Sequence, residues 1–311
     1  MSSLKSKKLL ILAIELIMLV LIGCGGTAKL TDKTARELFE MGKKAFDDKQ
    51  YVRATELFQT IVFNHGGETL VDTAQYYLAL SYYSNSDYAV AGVEFNRLAT
   101  NYPSSVYFEN AIYLRAVCFF KGTPGHYGLD QTDLQKAIDQ FEDFIVDFPE
   151  SELVSDAQAF LKVARTRMAK KYYENAVVYR RIGAYLAAQK YYQIVIDDYT
   201  ESEYGPKAVF ENAEVNLKLG KFAEARTGFE NFANIFKNDK LVPKAIELAH
   251  EAAFKNGVSA FNKGDLTMAK ERFETFIKDF PNDDRVNDAK EYLSRIEEKQ
   301  SLLTEDSHAE S

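Results

Sequence analysis

Tryptophan is absent from the 311 residues, proline occurs six times, histidine four times and cysteine twice. Each shortage narrows the possibilities. Few prolines leave long helices unbroken, because proline removes a backbone donor and clashes with the preceding turn. His65, His126, His250 and His308 are scattered, with no second ligand at helical spacing, so no zinc site is expected. No basic stripe exists: 38 Lys and Arg face 46 Asp and Glu, a formal net charge of −8, which argues against nucleic acid. The glycine-rich stretch Lys121–Gly128 lacks the Lys-Ser/Thr ending of a phosphate loop, and no strand precedes it. No Ser/His/Asp or Cys/His set can be assembled. Cys118 sits among Val117, Phe119 and Phe120, the surroundings of an inert buried thiol. No catalytic residue, metal ligand or cofactor is expected, and the chain reads as a non-enzyme.

Long apolar runs are equally scarce. The one candidate, Leu9–Ile22, is interrupted by Glu15. A spanning helix needs about 20 apolar residues, and a carboxylate at mid-membrane costs roughly 2.5–3.5 kcal/mol. Lys5, Lys7 and Lys8 precede the run, and Leu21-Ile22-Gly23-Cys24 follows, the order of a cleaved secretory signal. A cysteine at the cleavage point resembles the bacterial lipoprotein signal. That resemblance implies a signal peptide at 1–23, acylation (a palmitate-type lipid) on Cys24, and a lipidated linker at 24–33. Cleavage would move the formal charge to −10 and leave Cys118 without a disulfide partner. Residue 25 is Gly rather than Asp, which points to the periplasmic face of the outer membrane.

Against these absences stand 19 Tyr and 22 Phe, enough for a large aromatic core. They recur in one pattern: a ring or Leu, an Ala three residues on, and an aromatic four beyond that. The copies are Tyr51-Ala54-Phe58, Tyr88-Ala91-Phe95, Leu134-Ala137-Phe141, Tyr185-Ala188-Tyr192, Phe222-Ala225-Phe229 and Leu266-Ala269-Phe273. These spacings share one helical face. Seven residues further stands another ring (Tyr102, Phe148, Tyr199, Phe236, Phe280) or His65, and Pro103, Pro149 and Pro281 stop three of the helices.

An earlier helix keeps register, with a small residue twelve positions before the Ala: Gly42, Ala79, Ala176, Ala213 and Gly257, and Ala116 with nine residues inserted. The pattern resembles the tetratricopeptide repeat, a helix-turn-helix unit of about 34 residues. The expected fold is all-α, a tetratricopeptide superhelix (α-solenoid) of about six repeats at 34–66, 71–103, 109–149, 169–200, 206–237 and 250–281. One long helix is expected between Glu150 and Ile182, capped at Gly183. Asn287–Lys299 reads as a capping helix with a polar outer face. The halves divide as 34–149 (repeats one to three, proposed for substrate binding) and 150–298 (repeats four to six, proposed for partner docking). Residues 299–311 read as a disordered tail.

In this repeat class the first helix of each pair lines the concave surface. Candidate groove residues there are Phe39, Phe46, Tyr76, Tyr77, Tyr82, Tyr83, Tyr113 and Arg180. An aromatic stripe at helical spacing is more often core than site, but part of it is positioned to receive a peptide with apolar anchors.

Three stretches carry a more specific likeness: Leu78–Tyr83; the interruption near Gly128-Leu-Asp130 followed by Phe148-Pro149; and Arg167–Ala188, reading RMAKKYYENAVVYRRIGAYLAA. They resemble the BamD family, lipoproteins of the outer-membrane β-barrel assembly (BAM) complex, over roughly residues 33–236. The resemblance implies a scaffold that binds unfolded outer-membrane protein precursors and a BamA-like β-barrel partner, alongside other BAM lipoproteins. The sixth repeat exceeds the five of that family. The alternative is a repeat protein coordinating Tol–Pal function, peptidoglycan synthesis and cell division, although residues 27–33 leave no room for the coiled coil such proteins carry before their repeats.

Overall fold

A computed structural model of the chain describes residues 33–309, with side chains described as far as Leu302. Cys24 and the signal segment lie outside these residues. Thirteen helices and no strand occur among the described residues. We number them α1 (Ala35–Asp47), α2 (Tyr51–Asn64), α3 (Val71–Ser84), α4 (Tyr88–Asn101), α5 (Phe108–Gly122), α6 (Thr132–Asp147), α7 (Val154–Arg181), α8 (Tyr185–Asp198), α9 (Gly205–Lys218), α10 (Phe222–Ile235), α11 (Val242–Asn262), α12 (Leu266–Asp279) and α13 (Val286–Ala309). No described helix is long and apolar enough to cross a membrane.

Two compact units share the chain. Among the described residues the first comprises 33–123 and 132–161, the second 124–131 and 162–309. Within each, helices pack on their sequence neighbours, as stacked helix-turn-helix repeats do. All six Ala of the aromatic trios are fully buried, as are Phe58, Phe95, Phe141, Tyr192, Phe229 and Phe273.

In the first and sixth repeats the small residue of the first helix lies directly under the trio's last ring. A methyl placed on Gly42 would stand 2.9 Å from Phe58 Cε1, and on Gly257 2.7 Å from Phe273 Cε1. Backbone and ring therefore meet with no side chain between them.

Local chemistry fixes the ends. Thr34 caps α1 in a reciprocal box: its hydroxyl accepts from the Glu37 N–H at 3.3 Å, and its own N–H donates to Glu37 Oε2 at 2.9 Å. Second helices end at the predicted rings: the N–H groups of His65, Tyr102, Phe148, Tyr199, Phe236 and Phe280 each bond four residues back. Between the paired helices, five repeats use a left-handed turn with nested 5→2 and 6→1 bonds. The turning residues are Lys49, Ser86, Gly183, Gly220 and Gly264, with φ from 61° to 79°. The third repeat instead inserts Thr123–Gln131.

Three boundaries differ from the sequence expectation. The sixth repeat's first helix, expected from 250, begins at Val242 with Pro243 in its first turn, where a missing N–H costs nothing. The long helix starts at Val154 rather than near Glu150, because Ser151 closes a turn on Phe148 first. Residues beyond Lys299, expected as a disordered tail, continue α13 to Ala309. No Gly or Pro interrupts Val286–Ala309, and Glu, Lys, Gln and Leu are good helix formers.

Candidate functional site

In the first unit, the candidate aromatics are wired into the repeat cores. Tyr77 is the centre of one cluster, with ring centroids 5.7 Å from Phe39, 5.7 Å from Phe46 and 5.6 Å from Phe58. The ammonium of Lys43, held by Asp47 at 2.5 Å, lies 5.5 Å above the Tyr77 ring. Tyr76 points the other way around α3 and stacks on Tyr107 at 4.2 Å. Burial pushes its hydroxyl up to about 12.

Tyr82 packs half-buried between the cores of the first two repeats. Tyr83 meets Tyr88 edge-on at 5.5 Å and carries Lys121 5.0 Å above its face. Tyr113, only 8% exposed, sits among Phe141 and Phe144 as core, and burial pushes its hydroxyl up to about 12. The structure thus groups Phe39, Phe46 and Tyr77, sets Tyr76 against the core of the second repeat, places Tyr82 and Tyr83 one to two turns along the same helix, and assigns Tyr113 to the interior.

Cys118 is 2% exposed, and burial pushes its thiol up to about 12. A thiol held neutral at physiological pH is a packing residue, not a nucleophile.

Arg180 belongs to the second unit. Its guanidinium lies 3.3 Å from Glu211 and 3.5 Å from Glu214. Glu211 also accepts hydrogen bonds from Tyr173 Oη at 2.8 Å and Tyr192 Oη at 2.5 Å. Both hydroxyls are raised well above the ordinary tyrosine range, by burial first and by bonding to Glu211 second. One carboxylate therefore ties α7, α8 and α9 together.

Above it opens a cleft of about 500 Å³ lined by α7, α9 and α11, the first helices of repeats four to six, and by Tyr185 at the start of α8. Arg180, Arg181, Lys218 and Lys255 ring an apolar floor of Tyr185, Leu217 and Leu248. Against Glu214 and Glu251 this leaves a basic cleft on an acidic chain, suited to a carboxylate beside an apolar side chain. Sequence reasoning reached only Arg180. Arg181 and Lys218 fall at matching positions, five residues past Ala176 and Ala213, whereas Leu248, Glu251 and Lys255 lie before Gly257 and share no such position, so the repeat register marks only part of the cleft.

Also in this unit, the third-repeat insertion packs on α7: Arg167 donates to the Pro124 carbonyl at 2.9 Å, and Lys170 lies 5.7 Å above the Tyr127 ring.

Residues 31–232, about two thirds of the chain, match the model of the YfiO outer membrane lipoproteins. The chain belongs to that family. A tetratricopeptide-repeat model matches residues 251–283, over the sixth repeat. Two curated relatives of this YfiO-family chain carry the name outer membrane protein assembly factor BamD. One, from Caulobacter vibrioides, is 23% identical over 84% of this chain and 87% of its own. The other, from Rickettsia prowazekii, is 26% identical over 70% of this chain and 87% of its own. Among solved structures, the tetratricopeptide domain of P58(IPK) is similar at 16% identity and a TM-score of 0.35, over 88% of this chain and 67% of that one. The matched span to 232 lies close to the 33–236 over which the sequence resembles BamD.

Proposed function

We propose that this chain is the lipid-anchored scaffold of an outer-membrane β-barrel assembly complex. In this reading Cys24 carries the acyl anchor, the first three repeats bind unfolded barrel precursors, and the later repeats dock a BamA-like partner and other lipoproteins of the complex. The observation that carries it is the family match over 31–232, together with relatives named as assembly factors over most of their length. The geometry is compatible: half-exposed rings at Phe39, Phe46, Tyr77 and Tyr83 offer apolar anchoring points, and the basic cleft around Arg180 offers a polar one.

The test is affinity purification from membranes with this chain as bait. Recovery of a large β-barrel protein bearing periplasmic repeats is the expected outcome. Recovery of Tol or peptidoglycan-synthesis proteins without it would overturn the reading. A photocrosslinker at Tyr83 should capture a barrel precursor, whereas one at Phe63, exposed on α2, should not. Equal yields would remove the substrate half of the proposal.

A further inference from the structure

A groove of about 480 Å³ runs between α4, α5 and α6, wholly within the first unit. Its volume falls in the range of small-ligand sites, roughly 300–1,000 Å³. Tyr88, Val93, Cys118 and Phe119 supply an apolar lining, and Arg115 is the cation among the lining residues.

The guanidinium of Arg115 is half-buried and oriented without being neutralised. Its Nε–H donates to Gln140 Oε1 at 2.8 Å, and an Nη1–H donates to Asn96 Oδ1 at 2.7 Å. Both acceptors are uncharged amides, so the planar fork is fixed in place while its remaining N–H groups stay unbonded. No carboxylate of the described residues pairs with it: burial lowers its pKa from the ordinary arginine value, and Asp143 offsets this only from a distance. Asp133, the carboxylate lining the groove, is taken by Lys136 at 2.9 Å. Lys136 also stands 5.3 Å from the Phe119 ring centre, and Lys121 stands 5.7 Å from that of Tyr88. Both ring walls therefore carry positive charge. A half-buried charge in this state is costly unless a counter-charge arrives.

The glycines of the groove are a second, separate observation. Gly92 lies in the interior of α4, where glycine costs about 1 kcal/mol against alanine. Packing does not require it: a methyl there would meet only Cys118 Cβ, at 3.4 Å, and one at Gly122 only Tyr88 Cβ, at 3.8 Å. At Gly42 and Gly257 a buried ring fills that space instead. What Gly92 and Gly122 preserve is the open volume beside Tyr88, Cys118 and Phe119.

We propose that this groove binds a small amphipathic anion, a carboxylate on an aryl or short acyl body. The carboxylate pairs with the free N–H groups of Arg115, whose fork matches it in a bidentate fashion. The apolar body packs against Cys118 and the two rings. This site is separate from the aromatic anchors around Tyr77 and from the cleft at Arg180, and it does not depend on the assembly role.

Isothermal titration calorimetry of the full chain tests it, comparing phenylbutyrate with phenylbutyramide, its uncharged counterpart. The acid is expected to bind at least about tenfold more tightly than the amide. Arg115→Met should bring the acid down to the affinity of the amide. Gly92→Leu fills the groove with a good helix former, so it should abolish binding of both without lowering the melting temperature. It leaves Arg115 and its two amide partners in place, and so tests the groove even if the arginine variant folds poorly. Val52→Asp, an exposed change on α2, should alter neither affinity. The proposal is overturned if the acid does not bind, if the amide binds as tightly, if Arg115→Met keeps the preference for the acid, or if folded Gly92→Leu still binds.

Discussion

The contact between Gly257 and Phe273 gives a quantitative test of how the repeats are held. Replacing a glycine by alanine inside a helix ordinarily stabilises by about 1 kcal/mol, through the smaller loss of backbone freedom. At Gly257 the new methyl would stand 2.7, 2.9 and 3.0 Å from three atoms of the Phe273 ring. That ring is fully buried and stacked on Tyr292 at 4.9 Å, with Phe254 tilted against it at 5.8 Å, so it has no room to retreat. Overpacking of this kind costs typically ~1–3 kcal/mol, and Gly257→Ala should therefore be neutral to destabilising by about 2 kcal/mol once the propensity gain is subtracted. Gly92→Ala is the control. Its methyl would lie 3.4 Å from Cys118 Cβ, an ordinary contact, so it should stabilise by about 1 kcal/mol. Urea unfolding followed by far-ultraviolet circular dichroism measures both, through midpoints at unchanged slope. Adding Phe273→Leu to Gly257→Ala should cost less than the sum of the single changes, by roughly 0.5–3 kcal/mol of coupling. If Gly257→Ala stabilises as much as Gly92→Ala, the close approach does not hold the repeat together and the reasoning fails.

Lys49 and Ser86 occupy left-handed turn positions at φ 61° and 67°, where three other repeats have glycine. Each substitution by glycine should stabilise by about 1 kcal/mol; a lowered urea midpoint would contradict the turn assignment. Glu211→Leu leaves the hydroxyls of Tyr173 and Tyr192 without their acceptor and should cost roughly 1–3 kcal/mol per buried group, read as a drop in melting temperature that a distant surface change does not reproduce. Asp283 is held well below the usual carboxylate range by the Arg285 guanidinium first, then the Arg285 backbone N–H and His250. Its folded pKa is depressed, so its contribution is complete above the ordinary value near 4 and is lost as pH falls below it. The stability difference between the native chain and Asp283→Asn should shrink steadily below that pH; a constant difference would refute the linkage.

Much of the architecture was legible because helical spacing constrains few residues tightly. Ala54, Phe58 and their counterparts are recognisable at three- and four-residue intervals, and each proved to be buried core. The terminal rings were legible for the same reason. What escaped notice is a second register three residues past each ring. Glu68, Ser105, Ser151, Ser202, Asp239 and Asp283 each donate a backbone N–H to the ring residue's carbonyl. In five of them the side-chain oxygen then accepts from the N–H two residues on. Ser and Asp favour such turns, so the signal was present, but it is polar, short and lies outside the apolar periodicity. The binding surfaces were less legible still. Tyr76 and Tyr113 both stand three residues before their helix's small residue, Ala79 and Ala116, yet one is half-buried and the other is interior, because burial depends on the neighbouring repeat. Arg180 was visible as a cation near a helix end. Its bond to Glu211 spans two helices, which no local window contains.

The two surfaces of the second unit meet at α9, and this has a physical consequence for how they can act. A stacked repeat passes strain mainly to its immediate neighbours. Asn212 and Asn216 face a carboxamide-lined groove formed with α8 and α10, while Glu214 and Lys218 face the basic cleft, only two residues away along the same helix. Glu211 anchors that helix to α7 and α8 through Arg180, Tyr173 and Tyr192, and Ala213, 1% exposed, seats it under α10 with Gly228 so close that a methyl there would lie 2.9 Å from the Ala213 Cβ. Packing this tight resists sliding or rotation of α9. A ligand in one groove therefore changes affinity in the other only by as much as it prefers a shifted α9. With α9 clamped on both sides, the geometry resists coupling between its two faces.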